Sequence, residues 1–184
     1  MKNTMKSALK AEKKIFILLA AVMMTTNVMA QHEIGVVVGG VNGISHKYWF
    51  SDALALQTEL AVGLTAAPTT AYLNGQQLAS ATNPQYDFTI NPNVAYHFAL
   101  PQNIQLYAGG GVNFGLVSDL NNTAPEGIMG KFGINALIGA AYQYNKWVFA
   151  LDFKPGYGHA FCEEPSIYLA AFDWKLGLAV RYKL

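Results

Sequence analysis

The sequence predicts an all-β protein, an eight-stranded antiparallel up-and-down barrel that crosses a membrane around a filled polar lumen. Charged residues make up 12% of the chain, about half of the roughly 25% that soluble domains carry. Beyond residue 30, no apolar run approaches the roughly 20 residues of a membrane helix, yet many segments alternate between apolar and polar residues. Because only helices and closed barrels satisfy their backbone polar groups in hydrocarbon, we expect strands to cross the membrane.

The last thirteen residues, 172–184, show this alternation most clearly. Every even-numbered residue there is hydrophobic, whereas the odd-numbered residues include four charged ones, Asp173, Lys175, Arg181 and Lys183. Successive side chains of a strand point to opposite faces. The segment is therefore predicted to be the closing strand of a barrel, with one apolar face and one charged face.

Residues 1–30 have the features of a secretory signal peptide. Five lysines precede an apolar run of ten residues from Ile15 to Met24. Val28 and Ala30 then occupy the −3 and −1 positions before Gln31, where signal peptidases prefer small residues. The run is too short to span a bilayer. We expect cleavage between Ala30 and Gln31, although a retained membrane-anchoring helix is the alternative.

The predicted mature domain, residues 31–184, is mildly acidic. Five of the twelve basic residues and one of the eleven acidic residues precede Gln31, which leaves seven basic and ten acidic residues and a net charge of −3. This balance argues against a basic nucleic-acid-binding protein. Cys162 is the single cysteine of the chain, so no intramolecular disulfide is expected, and no spacing typical of a metal or cofactor site is present.

Eight alternating segments are predicted as strands: residues 33–41, 44–50, 53–64, 86–98, 103–116, 131–144, 147–157 and 172–184, the last with a possible extension over 167–171. Val41-Asn42-Gly43 is predicted to be a tight hairpin turn. The other predicted connections alternate between short turns (51–52, 100–102, 145–146) and longer loops (65–85, 117–130, 158–166). Short turns at one end and long loops at the other are typical of outer-membrane barrels. Pro92 interrupts the fourth segment, where its missing donor predicts a bulge or a local kink.

The alternation alone leaves open which face is outside, because a lipocalin-like soluble barrel would place the apolar face inward. Three observations favour an apolar exterior: charges avoid the apolar faces, glycines are frequent on the polar faces, and aromatic residues gather near both ends of the strands. Eight strands enclose a lumen just wide enough to be filled by side chains. We expect a paired polar network there rather than an open channel. Its predicted charged members are Glu33, Lys47, Glu59, Asp87, Lys131, Asp152, Lys154, Asp173, Lys175 and Arg181, with Lys183 on the same face.

The whole predicted mature chain resembles small eight-stranded outer-membrane barrels of the OmpA/OmpX type. Gly177, Val180, Tyr182 and Leu184 resemble the C-terminal signal that the barrel assembly machinery reads, with Leu184 in place of the commonest Phe. Gln31 and the segment 47–52 make the chain similar to barrels from Bacteroidota. The resemblance implies a place in the bacterial outer membrane, with its lipids and the assembly machinery as partners.

The leading functional prediction is a non-enzymatic outer-membrane protein, either structural or binding an extracellular ligand through its loops. One alternative is an enzyme that modifies lipid A, a deacylase or an acyltransferase; another is a small pore. The enzyme's candidate residues are Ser45 with His46, and His159 with Ser166. Ser45 and His46 are sequence neighbours, so they point to opposite faces of a strand and do not form a nucleophile–base pair.

The composition of the predicted loops does not identify a ligand. The connection 65–85 is rich in Ala, Thr, Asn and Gln, as expected of a surface loop. Glu163 and Glu164 in the last loop would attract cations or basic partners, although a solvated acidic pair is the commoner interpretation.

Overall fold

Eight antiparallel strands form a closed barrel in the computed structural model, which describes residues 31–119, 128–161 and 167–184. Each strand pairs with the next, and β8 pairs with β1 to close the ring, which confirms the predicted architecture. The strands are β1 His32–Gly39, β2 Asn42–Trp49, β3 Leu54–Leu73, β4 Gln76–Leu100, β5 Ile104–Asp119, β6 Met129–Tyr144, β7 Trp147–Phe161 and β8 Ile167–Lys183. The predicted signal peptide, residues 1–30, lies outside the described residues.

In the part of the chain that the structure describes, no helix is long and apolar enough to cross a membrane.

The alternation of each strand separates an apolar exterior from a polar interior. On β8, Leu176 and Leu178 point outward with 47% and 59% of their surface exposed, whereas Arg181 is fully buried. The same separation holds across the ladder, since Leu178 pairs with the outward Leu151 and Arg181 pairs with the buried Val148. The barrel therefore has the inverse polarity of a soluble protein.

Three short turns lie at one end of the barrel, named here the short-turn end. They connect β2 to β3, β4 to β5 and β6 to β7, as predicted to within one residue. Gln102, Asn103 and Asn145 adopt positive φ angles of 66°, 60° and 53°. Asparagine tolerates this left-handed region better than most residues, so the turns fit the local sequence.

The turn of the first hairpin lies two residues earlier than predicted. β1 ends at Gly39, whose φ of 128° is accessible to glycine, and β2 already begins at Asn42. The Asn42 side chain accepts a hydrogen bond from the Gly39 N–H at 3.2 Å and donates one to the Gly39 carbonyl at 3.1 Å. These two bonds close the chain around residues 40–41, so the predicted tight hairpin turn is present but its predicted position, Val41-Asn42-Gly43, is wrong.

The prediction that residues 65–85 form a loop is also wrong. β3 and β4 continue through this segment as a long hairpin. The two strands pair from Leu54↔Tyr96 to Leu73↔Gln76, with one register shift between Ala71 and Tyr72. The turn is Asn74-Gly75, with φ angles of 50° and 81°. Asn-Gly is a favoured two-residue hairpin turn because both residues reach positive φ. The end of the barrel that carries this hairpin is named here the hairpin end.

Of the bulge or local kink expected at Pro92, the bulge does not form. Pro92 pairs with Thr58 of β3, and the register with β5 is the same on both sides, at Ile90↔Phe114 and Asn93↔Gly111. The two pairs between these are missing from the ladder, as expected where proline lacks a donor. The proline therefore interrupts one ladder without shifting its register.

The wall of the barrel is uneven, because the first hairpin is shorter than the others. β3 pairs with β2 only as far as Val62↔Asn42, and β8 pairs with β1 only as far as Gly177↔Gly39. Further toward the hairpin end, β3 pairs directly with β8, from Thr69↔Ala171 to Leu73↔Ile167. Two strands that are separated by β1 and β2 near the short-turn end thus become neighbours at the hairpin end.

A glycine is required where neighbouring backbones approach closely. A Cβ atom at Gly109 would lie 2.0 Å from the Val94 carbonyl oxygen and 2.6 Å from the Ala95 Cα atom of β4. Both atoms belong to the backbone, so a side chain would have to separate β4 from β5.

We expect Gly109→Ala to destabilise the folded barrel by about 1–3 kcal/mol, the usual range for overpacking a close-packed interior. Urea unfolding in detergent micelles, followed by the mobility of unboiled samples on a gel, measures this. Gly130→Ala is the matched control, since a Cβ atom there meets nothing within 4 Å. Equal stability of the two variants would contradict the steric explanation.

Candidate functional site: the polar lumen

The lumen is the candidate site, and the structure places all ten predicted charged residues in it. Seven of them are buried, and the side chains of Lys131, Asp173 and Lys175 keep between 12% and 19% of their surface exposed. The ten residues fall into two clusters and one aromatic layer, described in turn below. Charges buried at this depth need partners, because an uncompensated buried charge is strongly destabilising.

The first group, named here the Asp152 cluster, lies in the half of the barrel toward the short turns. The Oδ2 atom of Asp152 accepts hydrogen bonds from Gln57 Nε2 at 2.8 Å and Arg181 Nη2 at 3.1 Å. Its Oδ1 atom accepts one from the Tyr107 hydroxyl. Arg181 is further fixed by donating from Nε to Ser45 Oγ at 2.8 Å. One carboxylate therefore ties together side chains from β3, β5, β7 and β8.

Glu59 and Lys154 extend the Asp152 cluster. Lys154 donates to Glu59 Oε1, and its Nζ atom also lies 3.7 Å from Asp152 Oδ2. Gln57 Nε2 donates to Glu59 at 3.0 Å as well as to Asp152. The two carboxylates thus share one lysine and one amide, which keeps their negative charges compensated.

An aromatic layer closes the lumen nearer the short turns. His97 stacks on Tyr107 with ring centroids 4.6 Å apart and contacts Trp49 at 4.4 Å. Lys47 Nζ lies 4.6 Å from the centre of the Tyr107 ring, a cation–π distance. Trp49 donates from Nε1 to Glu33 at 2.9 Å. Bulky rings and charged groups therefore occupy the space that a pore would need.

The second group, named here the Asp87 cluster, lies toward the hairpin end. Asp87 Oδ2 accepts hydrogen bonds from Lys175 at 2.7 Å and from Lys131 at 2.9 Å. Asp173 Oδ2 lies 3.7 Å from Lys131 and 3.9 Å from Lys175. The two lysines and two aspartates of this cluster balance in charge. The lysines are more exposed than Arg181 and Asp152 of the Asp152 cluster.

Along β4, neutral side chains lie between the two clusters, whereas Lys154 and Lys175 are direct neighbours across the β7–β8 ladder. Asn93 donates to the Asn91 backbone carbonyl at 3.0 Å, and Asn135 donates to Asn93. Val37 and Leu137 are fully buried beside this polar layer. Polar and apolar side chains thus both occupy this level of the lumen.

The candidate enzyme residues do not form a catalytic pair in the described structure. Ser45 is fully buried in the lumen and bonded to Arg181, whereas His46 lies on the outer face. His46 Nε2 lies 3.1 Å from Nδ1 of His32, and the two rings are within 23° of parallel. This geometry is that of an imidazole–imidazole hydrogen bond. His159 contacts Tyr157 and Phe161, and Ser166 lies outside the described residues, as do Cys162, Glu163 and Glu164.

Among residues 31–119, 128–161 and 167–184, no group of three His, Cys, Asp or Glu side chains is arranged to hold a metal ion.

The predicted assembly-signal residues lie at the end of β8 and divide between its two faces. Gly177 is buried opposite Gly39, whereas Tyr182 and Leu184 point outward and Val180 is half-buried. Tyr182 packs edge-on against Trp147, with ring centroids 5.2 Å apart. The outward residues therefore belong to the apolar surface at the short-turn end.

The sequence-based network omits several neutral members of the lumen. Ser45, Gln57 and Tyr107 all bond to charged residues of the Asp152 cluster, but only charged residues were considered. Ser45, Gln57 and Tyr107 lie on the polar faces of their strands, so the alternation that predicts which charged residues face the lumen predicts these neutral residues as well.

Comparison with solved structures finds proteins similar to this barrel at low sequence identity. The chain is similar to Neisserial surface protein A, with 13% identity, a TM-score of 0.46, and coverage of 84% of this chain and 94% of that chain. The N-terminal β-barrel domain of Pseudomonas aeruginosa OprF shares 16% identity, with a TM-score of 0.47 and coverage of 84% and 96%. The outer membrane protein OprG from Pseudomonas aeruginosa shares 12%, with a TM-score of 0.46 and coverage of 84% and 92%.

No family model matches the chain, and no curated protein sequence matches it.

We expect Asp152→Ala to be among the most destabilising single substitutions in the lumen. The change leaves Arg181 buried without its carboxylate, and breaking a buried ion pair costs about 3–5 kcal/mol. Urea unfolding of the reconstituted barrel measures the loss. Asp173→Ala is the matched control, because Asp173 is partly exposed and lies 3.7 Å or more from its lysines; it should cost about 1 kcal/mol or less. A smaller loss for Asp152→Ala than for the control would refute the central role of Asp152.

Proposed function

We propose that this chain is a non-enzymatic integral protein of the bacterial outer membrane, a filled barrel whose long β3–β4 hairpin contacts the exterior. The observation that carries the proposal is the apolar outer surface of a closed barrel whose charges are buried. A water-soluble barrel would expose its charged face instead.

The outer surface has the layered composition that a bilayer requires. Leu151, Leu178 and Ile138 are outward residues near the middle of their strands, and each exposes between 44% and 59% of its surface. Aromatic residues lie toward both ends, with Tyr96 against Phe98 at the short-turn end and Phe153 beside Trp174 at the other. Aromatic side chains favour the two membrane–water interfaces, and aliphatic ones favour the hydrocarbon between them.

The packed lumen favours a structural or binding role over conduction. The Asp152 cluster and the aromatic layer fill successive levels of the barrel, and Arg181, Glu59 and Asp152 are fully buried. A conducting pore keeps a hydrated path lined by polar groups. The charged side chains of the Asp152 cluster instead pair with one another, through Arg181–Asp152 and Lys154–Glu59.

The β3–β4 hairpin is the element best suited to contact a ligand outside the cell. Its strands pair with each other beyond Gln85↔Asp119, the last described pair of β4 with β5. The outer part of β4 therefore has no described partner on its β5 side, while β3 stays paired with β8 up to Leu73↔Ile167. Residues 65–85 contain no charged residue and many Thr, Ala, Asn and Gln residues. Such a surface binds through hydrogen bonds and shape rather than through long-range attraction.

The proposal includes delivery to the outer membrane. Residues 1–30 would act as a cleaved signal peptide that ends near Ala30, and the barrel assembly machinery would insert the mature chain by reading the end of β8. Outer-membrane lipids would then contact the apolar surface. The similarity of Gly177, Val180, Tyr182 and Leu184 to the assembly signal supports this route.

Replacing an outward aliphatic residue by a charged one tests the placement in a membrane. We expect Leu178→Lys to cost about 2–4 kcal/mol of folding free energy in lipid vesicles, because the ammonium group would lie near the bilayer midplane. Urea titration of the vesicle-inserted protein measures the change.

Ile128→Lys is the matched control, since Ile128 is also exposed but precedes β6 at the hairpin end. A lysine near the interface should cost about 0–1 kcal/mol. In a water-soluble barrel both substitutions would be nearly neutral, so equal and small effects, with unboiled and boiled samples of equal mobility on a gel, would refute the proposal.

Because side chains fill the lumen, we predict that the barrel does not conduct ions. We expect the purified protein to produce no sustained single-channel steps in planar lipid bilayers, because its buried ion pairs leave no hydrated path. A large open porin added to the same bilayers shows that insertion is detectable. Reproducible steps of constant size from the purified barrel would establish the pore function instead.

A further inference from the structure

The backbone ladder has a gap between β3 and β8, just beyond the tip of the first hairpin. Among the described residues, Gly63–Pro68 of β3 and Phe172–Lys175 of β8 have no strand partner on the sides that face each other. The gap begins at the β1–β2 turn, where Gly40 donates to the Leu176 carbonyl, and ends at Thr69↔Ala171. This opening in the ladder is named here the lateral gap.

The lateral gap tapers from a wide base to a closed apex. At its base, β3 and β8 are separated by two intervening strands, about 14 Å at the usual spacing of about 4.8 Å between strands. At Thr69↔Ala171 they are direct neighbours. Six residues of β3 and four of β8, at about 3.3 Å per residue, give the two sides of the gap lengths of about 20 Å and about 13 Å.

The Asp87 cluster lies on the inner side of this gap. Asp87 of β4 pairs with Gly63 at the base of the gap on the β3 side, and Lys175 belongs to the facing edge of β8. Lys175 Nζ reaches Asp87 Oδ2 at 2.7 Å, so an ion pair connects the two sides where the ladder is absent. A Cβ atom at Gly63 would lie 2.1 Å from Asp87 Oδ1, so any larger residue there would displace the carboxylate from its present position.

One polar atom of the cluster has no partner in the described structure. Asp87 exposes 4% of its surface, and its Oδ1 atom accepts no hydrogen bond from any described residue. Buried polar atoms are almost always hydrogen-bonded. Asp87 Oδ1 is one of eight side-chain atoms of the described residues without a protein partner, and it belongs to the cluster beside the gap, where it can accept a further donor. The backbone groups along the gap have the same need, because hydrocarbon offers them no water.

The outer edge of the gap is apolar and aromatic. Phe172 and Trp174 point outward from β8 with 56% and 64% of their surface exposed, and Leu176 follows on the same face. Across the gap, Val62 of β3 points outward with 55% of its surface exposed and pairs with the outward Phe88 of β4. The gap thus joins a polar interior to the aromatic belt near the hairpin end.

We propose that the lateral gap binds a single-chain amphiphile with an uncharged, hydroxyl-bearing head group, whose hydroxyls bond to Asp87 and to the free backbone groups while its chain lies along Phe172 and Trp174. An uncharged head fits because the two lysines and two aspartates of the cluster already balance. A hydroxyl both donates and accepts, as the carboxylate and the mixed backbone edge require. This inference rests on the proposed placement of the barrel in a membrane.

The probe is a monoacylglycerol with a dibrominated chain, added to phosphatidylcholine vesicles that contain the folded protein, with tryptophan fluorescence as the readout. Bromine quenches tryptophan only at short range, so we expect a saturable loss of fluorescence above the linear loss caused by partitioning. Trp174→Phe should abolish the saturable part, because Trp49 lies in the lumen and Trp147 at the opposite end. Unbrominated monoacylglycerol should compete, and the anion of a fatty acid should not.

A second variant closes the gap itself. Extending each strand of the β1–β2 hairpin by two residues supplies ladder partners at the base of the gap, beside Gly63 and Lys175, and we expect the saturable quenching to be lost. The same four residues inserted at the Asn145–Lys146 turn are the control and should leave it intact. Purely linear quenching of the unaltered protein, or saturable quenching that survives the longer hairpin, would overturn the inference.

A gel that compares unboiled with boiled samples separates the two proposals. Folded, vesicle-inserted protein without saturable quenching refutes only the lateral site. Protein that fails to insert at all refutes the membrane placement on which the site rests.

Discussion

The structure depends on one geometric constraint, the alternation of side chains around a closed ring of eight strands. Every second residue must enter a lumen that is only wide enough for side chains, and here many of those residues are charged. The chain meets this constraint by gathering the charges around two carboxylates, Asp152 and Asp87. Each of them receives donors from strands far apart in sequence, so the same contacts that neutralise the lumen also hold opposite walls of the barrel together.

Much of the architecture could be predicted because a strand's period is short and the chain's composition is unusual. The number of strands, the short turns and the face of each charged residue all follow from alternation read along the sequence. The partners of those charges do not follow from it. Asp87 and Lys175 are 88 positions apart, and their contact depends on the stagger of the strands and on the absence of a side chain at Gly63.

The failures of the sequence-based interpretation have identifiable physical causes. Residues 65–85 were predicted to form a loop because their polar, charge-free composition hides the alternation, although Asn74-Gly75 is a strong hairpin turn. Pro92 was expected to distort its strand, but the ladder tolerates a missing donor when the partner strand keeps its register. In the first hairpin, the Asn42 side chain completes the turn at Gly39. That competition between a side chain and the backbone is not visible in a pattern of apolar residues.

The composition of the β3–β4 hairpin has a consequence for the conditions under which its outer part keeps its form. Residues 65–85 include no Asp, Glu, Lys, Arg or His. Within this stretch no side chain changes its protonation between about pH 4 and pH 9, and no ion pair is available for salt to screen. The side chains of this stretch therefore give its structure no dependence of their own on acidity or ionic strength.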